Sequence, residues 1–296
     1  MANIRLDSPR VSALNTDVSG GSAGDTNSDC HKNTGGVEPN DKVILARVRV
    51  AVLCWGKFYE DHPDALDNAF ALCRDLVTGP YLNGLAQYGV GRGSIAGSAL
   101  FNFSPPPATL SPDEARKQLL AWLRDTGSLF APSKNENSLL FVVFLPPETK
   151  PTVASGKDDF CGYHDWAKFH DDSKESDVFY CIIRTDSADR TSGAKFIRSV
   201  SYCVSHEIAE AVTSPDGRGY HKGNCEIGDL CEQTGTHRYR GWDVEQYWSQ
   251  WDRKCINGEE PVSLRSFLKA RGIAGGRLGD LRAGTINVEF IASQFR

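Results

Sequence analysis

The sequence lacks both an excess of basic residues and any long apolar run. Its 33 lysines and arginines are outnumbered by 38 aspartates and glutamates, which gives a formal net charge of −5. Nucleic-acid-binding domains carry clustered positive charge, and a membrane-spanning helix needs about 20 consecutive apolar residues. We therefore expect no nucleic-acid partner and no membrane span.

Several targeting and binding signals are also missing. The N-terminus "MANIRLDSPRVSALNTDVSGG" has no apolar core of the kind that a signal peptide requires, so a cytoplasmic location is the default expectation. The sequence contains neither a P-loop nor a Cys-x-x-Cys pair that would indicate a structural zinc site. Its nine cysteines form an odd set, which leaves at least one thiol free and does not decide the compartment.

Residues 1–41 are rich in glycine, serine, asparagine and aspartate and show no apolar periodicity. Such a segment buries too little apolar surface to offset the entropy lost on ordering, so it predicts a disordered tail. Cys30 and His31 lie in this segment, where we expect their side chains to be solvated.

The residues after position 42 alternate between strand and helix patterns. Val48, Val50 and Val52 repeat with period two and predict a strand, and "SLLFVVFLPP" and "DVFYCIIRT" predict two more. Helices are predicted from Pro63, from the capping box at 111–114, and over 192–213 before Pro215. Residues 259–296, with "VSLRSFLKARGI" and "TINVEFIAS", predict a C-terminal helix–strand extension.

The segment "HEIAE" at 206–210 is the strongest chemical signal. His206 and Glu210 are four residues apart, so on a helix both can reach one ion. Glu207 lies about 100° around the helix and can contact a water on that ion as general base, as in the H-E-x-x-H zinc enzymes. A solvated helix that happens to contain histidine and glutamate is the simpler alternative.

The segment "CEIGDLCE" follows the predicted helix and supplies two more carboxylates, Glu226 and Asp229. A catalytic zinc site uses three protein ligands and one open position. We expect Glu226 as the third ligand, with Asp229 as its alternative or as a hydrogen-bond partner of a ligand. One imidazole with two carboxylates favours Zn²⁺ less strongly than histidines alone, so Mn²⁺ and Ca²⁺ remain open.

The order of elements predicts an α/β (α+β) class. We expect a single zincin-like domain over residues 42–258, with a mixed sheet, a long metal-site helix and an irregular C-terminal part. The strand "VFYCIIRT" just before the helix would be an edge strand in a zincin-like fold, which is an argument by analogy.

The motifs resemble those of the Exordium-like (phosphate-induced) protein family. The specific matches are "HEIAEAVTSP" and "EIGDLCE", and weaker ones are "CGYH" at 161–164, "GPYLNGLAQYGV" at 79–90 and "WSQWDRKC" at 248–255. The resemblance covers residues 43–256 and implies a secreted, cell-wall-associated protein, with no settled catalytic activity to transfer. The residues of this sequence that match the family's motifs by position are His206, Glu207, Glu210, Glu226, Asp229, Cys161, His164, Cys231 and Cys255.

Other polar residues are weaker candidates. His164, beside Asp165, could hydrogen-bond a ligand, stabilise an oxyanion or be a ligand itself, although a histidine in a loop is more often a surface residue. Tyr220 and His221 lie in the loop between the predicted helix and Glu226, where we expect the transition-state donor of a peptidase. Cys231 and Cys255 would form a loop-closing disulfide in an oxidising compartment and would otherwise be buried thiols.

Three interpretations of function follow from these residues. The first is a metal-dependent hydrolase, most simply a zinc metallopeptidase-like enzyme acting on a peptide or cell-wall substrate. The second is a non-catalytic extracellular or cell-surface binding protein in which an ion ties the helix to the 216–230 loop. In the third no metal binds, and Glu226 and Asp229 accept hydrogen bonds from backbone amides.

Overall fold

A computed structural model describes residue 30 and residues 36–39, 43–102, 104–125, 138–152, 160–171, 174–186 and 188–259. The helices are α1 (Phe58–Asp61), α2 (Pro63–Thr78), α3 (Pro112–Asp125), α4 (Gly193–Ser199) and α5 (Ser201–Thr213), with 3₁₀ helices at Pro80–Tyr88 and Asp229–Thr234. The strands are β1 (Glu38–Pro39), β2 (Arg49–Trp55), β3 (Ser94–Phe101), β4 (Thr109–Leu110), β5 (Leu139–Phe144), β6 (Lys150–Pro151), β7 (Gly162–Asp171), β8 (Lys174–Ile183), β9 (Tyr220–His221), β10 (Thr236–Tyr239), β11 (Trp242–Glu245), β12 (Tyr247–Ser249) and β13 (Lys254–Ile256). Within these ranges no helix has the length and apolar character needed to cross a membrane.

Five strands form one mixed sheet in the order β3–β2–β5–β8–β7. Four neighbouring strands, β3, β2, β5 and β8, pair in parallel. The fifth strand, β7, lies at the edge and pairs antiparallel with β8. A parallel sheet is usually covered on both faces, which explains why all six residues of β5 are buried. The predicted α+β class is confirmed.

Alternate residues of β2 pack into two separate apolar clusters. Val50 and Val52 face the cluster that contains α2 and α5, whereas Ala51 and Leu53 face the cluster that contains α3. This division follows from the period of two along a strand. The sheet is therefore a middle layer, and α5 covers one of its faces.

Several predicted elements are confirmed with their local causes. Helix α2 begins at Pro63, and β5 occupies the centre of "SLLFVVFLPP". The capping box is formed, because the amide of Ser111 donates to Oε2 of Glu114 at 2.8 Å and the amide of Glu114 donates to Oγ of Ser111 at 3.3 Å.

Two predictions about the site region are wrong. The strand "VFYCIIRT" lies in β8, which is an interior strand, and the edge strand is β7 with His164. The predicted loop around His164 is thus a strand. Tyr163, Ala167 and Phe169 alternate toward the α3 side, so His164 projects from the opposite face toward α5.

The predicted helix over 192–213 consists of two helices, α4 and α5, which are separated by Val200. The hydroxyls of Ser199 and Ser201 donate to the carbonyls of Phe196 and Arg198 at 2.7 Å each. Side-chain bonds of this kind compete with the helix ladder and bend it. The helix that carries HEIAE is therefore shorter than predicted.

Part of the predicted tail packs on the domain. Cys30, which we expected to be solvated, is 1% exposed and forms a disulfide with Cys225, and Val37 is buried as well. β1 pairs antiparallel with β9. Residues 1–29, 31–35 and 40–41 of the predicted tail and the extension after residue 259 lie outside the described residues.

Candidate metal centre

Helix α5 is fixed against β11 by two serines that are one helical turn apart. Oγ of Ser201 accepts from the amide of Asp243 at 3.0 Å, and Oγ of Ser205 accepts from the amide of Glu245 at 2.9 Å. Val204, Ile208, Ala211 and Val212 are buried in the apolar cluster beneath the sheet. These contacts place the side chain of Glu245 beside the first residue of HEIAE.

His206 lies among three carboxylates. Its Nδ1 is 2.6 Å from Oε2 of Glu245, and its Nε2 is 3.2 Å from Oε2 of Glu210 and 3.9 Å from Oδ1 of Asp229. Nothing in the sequence points to Glu245, because the segment "WDVEQYW" has strand periodicity and no ligand spacing relative to HEIAE. Nδ1 bonded to a carboxylate leaves Nε2 as the ring nitrogen directed at the centre.

Glu210 joins the helix to the downstream loop. Its Oε1 accepts hydrogen bonds from the amides of Gly228 and Asp229, both at 3.0 Å. A Cβ on Gly228 would lie 2.8 Å from Oε1 of Glu210 and 2.8 Å from Nδ1 of His206, so the close approach needs glycine. The "EIGDLC" loop therefore meets HEIAE directly.

His164 of β7 forms a second contact with the same helix. Its Nδ1 lies 3.2 Å from Oε2 of Glu207 and 3.9 Å from Oε2 of Glu210, and its Nε2 lies 3.3 Å from Oε2 of Glu226. The His164 side chain is 8% exposed and that of Glu207 is 5% exposed. Neighbouring Asp165 faces the other side of the sheet, where it accepts a hydrogen bond from the hydroxyl of Tyr180 at 3.1 Å.

The predicted ligands fall into two sets, each with its donor atoms within 4.8 Å of one another. One set is His206, Glu210 and Asp229, and the other is His164, Glu210 and Glu226. The sequence predicts Glu226 beside His206, but the geometry groups Asp229 with His206 and Glu226 with His164. A third set pairs Glu207 with Cys161 and Cys203, but these cysteines form a disulfide and offer no thiolate.

Tyr220 and His221, two of the weaker candidates, contact other parts of the protein. Tyr220 and His221 form β9, which pairs with β1, and the ring of Tyr220 packs on that of Tyr88 at 4.7 Å. His221 contacts the carbonyl of Gly223 through Nδ1 at 3.0 Å. Neither residue belongs to a ligand set among the described residues.

Charge and burial shift the proton affinities in this cluster in opposite directions. Burial would lower the pKa of both histidines, but Glu226 and Glu207 at His164, and Glu210 and Glu245 at His206, hold each pKa well above its ordinary value. Burial raises the pKa of Glu210 and, together with Glu210, that of Asp229. For Glu226 the charge of His164 outweighs burial and lowers the pKa.

Three disulfides brace these elements. Cys231–Cys255 is the predicted pair, and the structure adds Cys161–Cys203 and Cys30–Cys225. Cys161–Cys203 joins the start of β7 to α5, so it ties the strand of His164 to the helix of HEIAE. Cys225 and Cys231 flank the loop that carries Glu226 and Asp229, so disulfides anchor both ends of that loop.

Comparisons of the chain with known protein families, with curated proteins and with solved structures find no match. The resemblance to the Exordium-like family therefore stays a prediction from the sequence motifs.

Proposed function

We propose that this protein is a metal-dependent hydrolase whose divalent ion is held by His206, Glu210 and Asp229. The proposal is carried by one observation, that one donor atom each of His206, Glu210 and Asp229 lies within 4.8 Å of the other two. Bond lengths to Zn²⁺ are about 2.0–2.2 Å, so these donors need only small movements to share an ion. Three protein ligands also leave a position open for water, as hydrolysis requires.

A divalent ion there would lower the pKa of a bound water to about 7 and polarise a substrate carbonyl. Glu207, the residue next to His206, takes the proton in this scheme. Its Oε2 already contacts Nδ1 of His164 at 3.2 Å. A carboxylate accepts more than one hydrogen bond, so that contact leaves capacity for a water molecule.

The proposal also includes a substrate class and a cellular location. Peptide-bond hydrolysis is the simplest reaction for a zincin-like centre, and the resemblance to Exordium-like proteins adds a cell-wall substrate as the second option. The antiparallel edge strand β7 beside α5 supports the zincin-like comparison. Three disulfides support an oxidising compartment, in line with the secretion that the resemblance implies. Zn²⁺ is the first choice of ion, and Mn²⁺ and Ca²⁺ are the alternatives.

The burial of the centre favours a second candidate function. Glu207 is 4% exposed and Glu210 is 3% exposed, and Glu210 already binds the loop through two amides. An ion in such a place can stabilise the junction of helix and loop without turning over a substrate. In that case the protein is a binding protein with a structural ion.

The test begins with metal analysis of protein purified without a metal-affinity tag, compared with His206→Ala. The proposal expects bound zinc that the variant loses, and cleavage of a peptide library that Glu207→Gln abolishes while it keeps its metal. Bound metal with no cleavage by the wild type would favour the structural ion. Absence of metal, even after incubation with zinc, would reject both.

A further inference from the structure

Glu210 belongs to both ligand sets, so its carboxylate can contact two ions at once. We propose that the centre binds two divalent cations, the second one held by His164, Glu210 and Glu226, with Glu210 as the bridge. The inference rests on the proposed function, because the first ion is the one assigned to His206, Glu210 and Asp229. It adds a second cation site and assigns a role to His164 and Glu226.

The two histidines point to two ion positions. Neither set of donors within 4.8 Å contains both His164 and His206 in the described part of the chain. Two ligands of one ion can be at most about 4.4 Å apart, since each bond is about 2.0–2.2 Å long. One ion therefore cannot take both rings without a rearrangement, whereas two ions can take one ring each.

The bridging atom is Oε2 of Glu210. Oε1 of the same carboxylate is held by the amides of Gly228 and Asp229 at 3.0 Å. Oε2 lies 3.2 Å from Nε2 of His206 and 3.9 Å from Nδ1 of His164, so it sits between the two rings. Paired metal sites in enzymes hold their ions about 3.5–4 Å apart, which one shared oxygen allows.

Each histidine is oriented in the same manner. Nδ1 of His164 contacts Oε2 of Glu207, and Nδ1 of His206 contacts Oε2 of Glu245. In both rings the other nitrogen faces a carboxylate of the centre, which is Glu226 for His164 and Glu210 for His206, while Nδ1 of His164 also lies 3.9 Å from Oε2 of Glu210. A carboxylate on the far ring nitrogen is the usual support of a histidine ligand, and the chain provides it twice.

The charge of the cluster favours the binding of more than one cation. Five carboxylates surround the two rings: Glu207, Glu210, Glu226, Asp229 and Glu245. Over the described residues, their ion pairs within 4.0 Å are all with His164 or His206. Unpaired buried charges are costly, and two divalent ions offset four of the five negative charges where one ion offsets two.

Glu226 supplies an independent observation. Its Oε1 is buried and has no hydrogen-bond partner within 3.5 Å among the described residues, although the hydroxyl of Ser214 lies near enough to lower the pKa of the carboxylate. Buried polar atoms in folded proteins are almost always satisfied, so an atom of this kind calls for an absent partner. A cation beside Glu226 and His164 provides that partner. One nitrogen and two or three oxygens per ion suit Mn²⁺, Fe²⁺ or Zn²⁺.

The experiment titrates metal-free full-length protein with Mn²⁺ and follows binding by equilibrium dialysis and electron paramagnetic resonance. We expect about two equivalents in the wild type, with the magnetic coupling of neighbouring ions. Glu226→Gln and His164→Gln should each retain about one equivalent and show an isolated ion. Glu232→Gln changes an exposed carboxylate of the same loop and should bind like the wild type.

The outcomes separate the two proposals. One equivalent in the wild type, unchanged by Glu226→Gln, would overturn the second ion and leave the hydrolase proposal standing. Two equivalents without coupling would overturn the bridge through Glu210. A variant that loses all binding is checked for folding by circular dichroism, and a folded Glu226→Gln protein without any ion would also overturn the separation into two sites. Binding of two ions without hydrolysis would overturn the enzyme and keep the paired centre.

Discussion

Nδ1 of His206 lies 2.6 Å from Oε2 of Glu245, which is 39 positions further along the chain. The amide of Glu245 is in turn bound by Oγ of Ser205. The orientation of the first residue of HEIAE is therefore set by a strand outside the motif.

Replacing Glu245 should weaken metal binding while the fold remains. Glu245→Ala removes the acceptor that orients His206, and loss of such a partner typically costs about 10–100-fold in metal affinity. Isothermal titration with Zn²⁺ measures the change. Asp243→Asn is the matched control, because Asp243 lies on the same strand and pairs at the surface with Arg198 and Arg238. Equal affinities for wild type and Glu245→Ala would remove Glu245 from the site.

Gly228→Ala should disturb the centre by crowding alone. Its Cβ would lie 2.8 Å from Oε1 of Glu210, so the loop must move away from α5. We expect a loss of about 1–3 kcal/mol in the free energy of unfolding, as for other overpacked sites, together with weaker metal binding. Gly91→Ala is the control, since a Cβ there would have its nearest contact at an ordinary 3.7 Å. Urea unfolding of both variants measures the free energy of unfolding. A Gly228→Ala protein as stable as the wild type would contradict the close approach of Gly228 to Glu210.

The cysteines should divide into six bonded and three free. Cys54, Cys73 and Cys181 are the buried free thiols. A thiol reagent should therefore label three cysteines in unfolded, unreduced protein and none in native protein. After reduction all nine cysteines of the sequence should react. Nine reactive thiols in unfolded protein without reductant would show that none of the three disulfides forms.

Loss of the Cys161–Cys203 bond should loosen β7 from α5. We expect Cys161→Ser with Cys203→Ser to lower the free energy of unfolding by about 2–5 kcal/mol. Metal affinity should fall with it, because His164 lies three residues after Cys161 and His206 three residues after Cys203. The double variant Cys231→Ser with Cys255→Ser is the comparison, since it frees one end of the loop and leaves β7 attached. Full metal affinity in the first variant would show that β7 needs no covalent tie.

Chelation should destabilise the folded protein. An ion present at 100 times its Kd stabilises by about 2.7 kcal/mol, which for a domain of this size raises Tm by about 5–10 °C. Differential scanning calorimetry before and after removal of metal measures the shift. His206→Ala, which lacks a ligand of the first ion, should show a smaller shift than the wild type. An equal Tm with and without metal would mean that no ion binds the native state.

The elements that local patterns determine were predicted well from the sequence. The capping box at Ser111 and the proline at the start of α2 depend on neighbours within one helical turn, and both are formed. The edge position of β7 was missed because pairing order depends on long-range contacts, although Tyr163, Ala167 and Phe169 do alternate. A strand rich in polar residues has a weaker hydrophobic pattern than a buried one such as β5.

In the candidate site, too, local spacing predicted some partners and long-range contacts determine the others. His206 and Glu210 are related by helical spacing, and the sequence analysis placed them together for that reason. The partners His164 and Glu245 come from strands 42 positions before and 39 positions after His206, and no local spacing relates them to the helix. The choice between Glu226 and Asp229 depended on the path of the loop, which Gly228 and the two amides on Glu210 determine.

The bond between Cys30 and Cys225 spans 195 positions, so its two halves leave the ribosome far apart in time. Cys30 is synthesised before any strand of the five-stranded sheet, and Cys225 only after α5, directly before Glu226. During synthesis Cys30 therefore carries an unpaired thiol while the sheet assembles. Closure of this bond belongs to the completed chain, and a nascent protein arrested before residue 225 would expose Cys30 to foreign thiols.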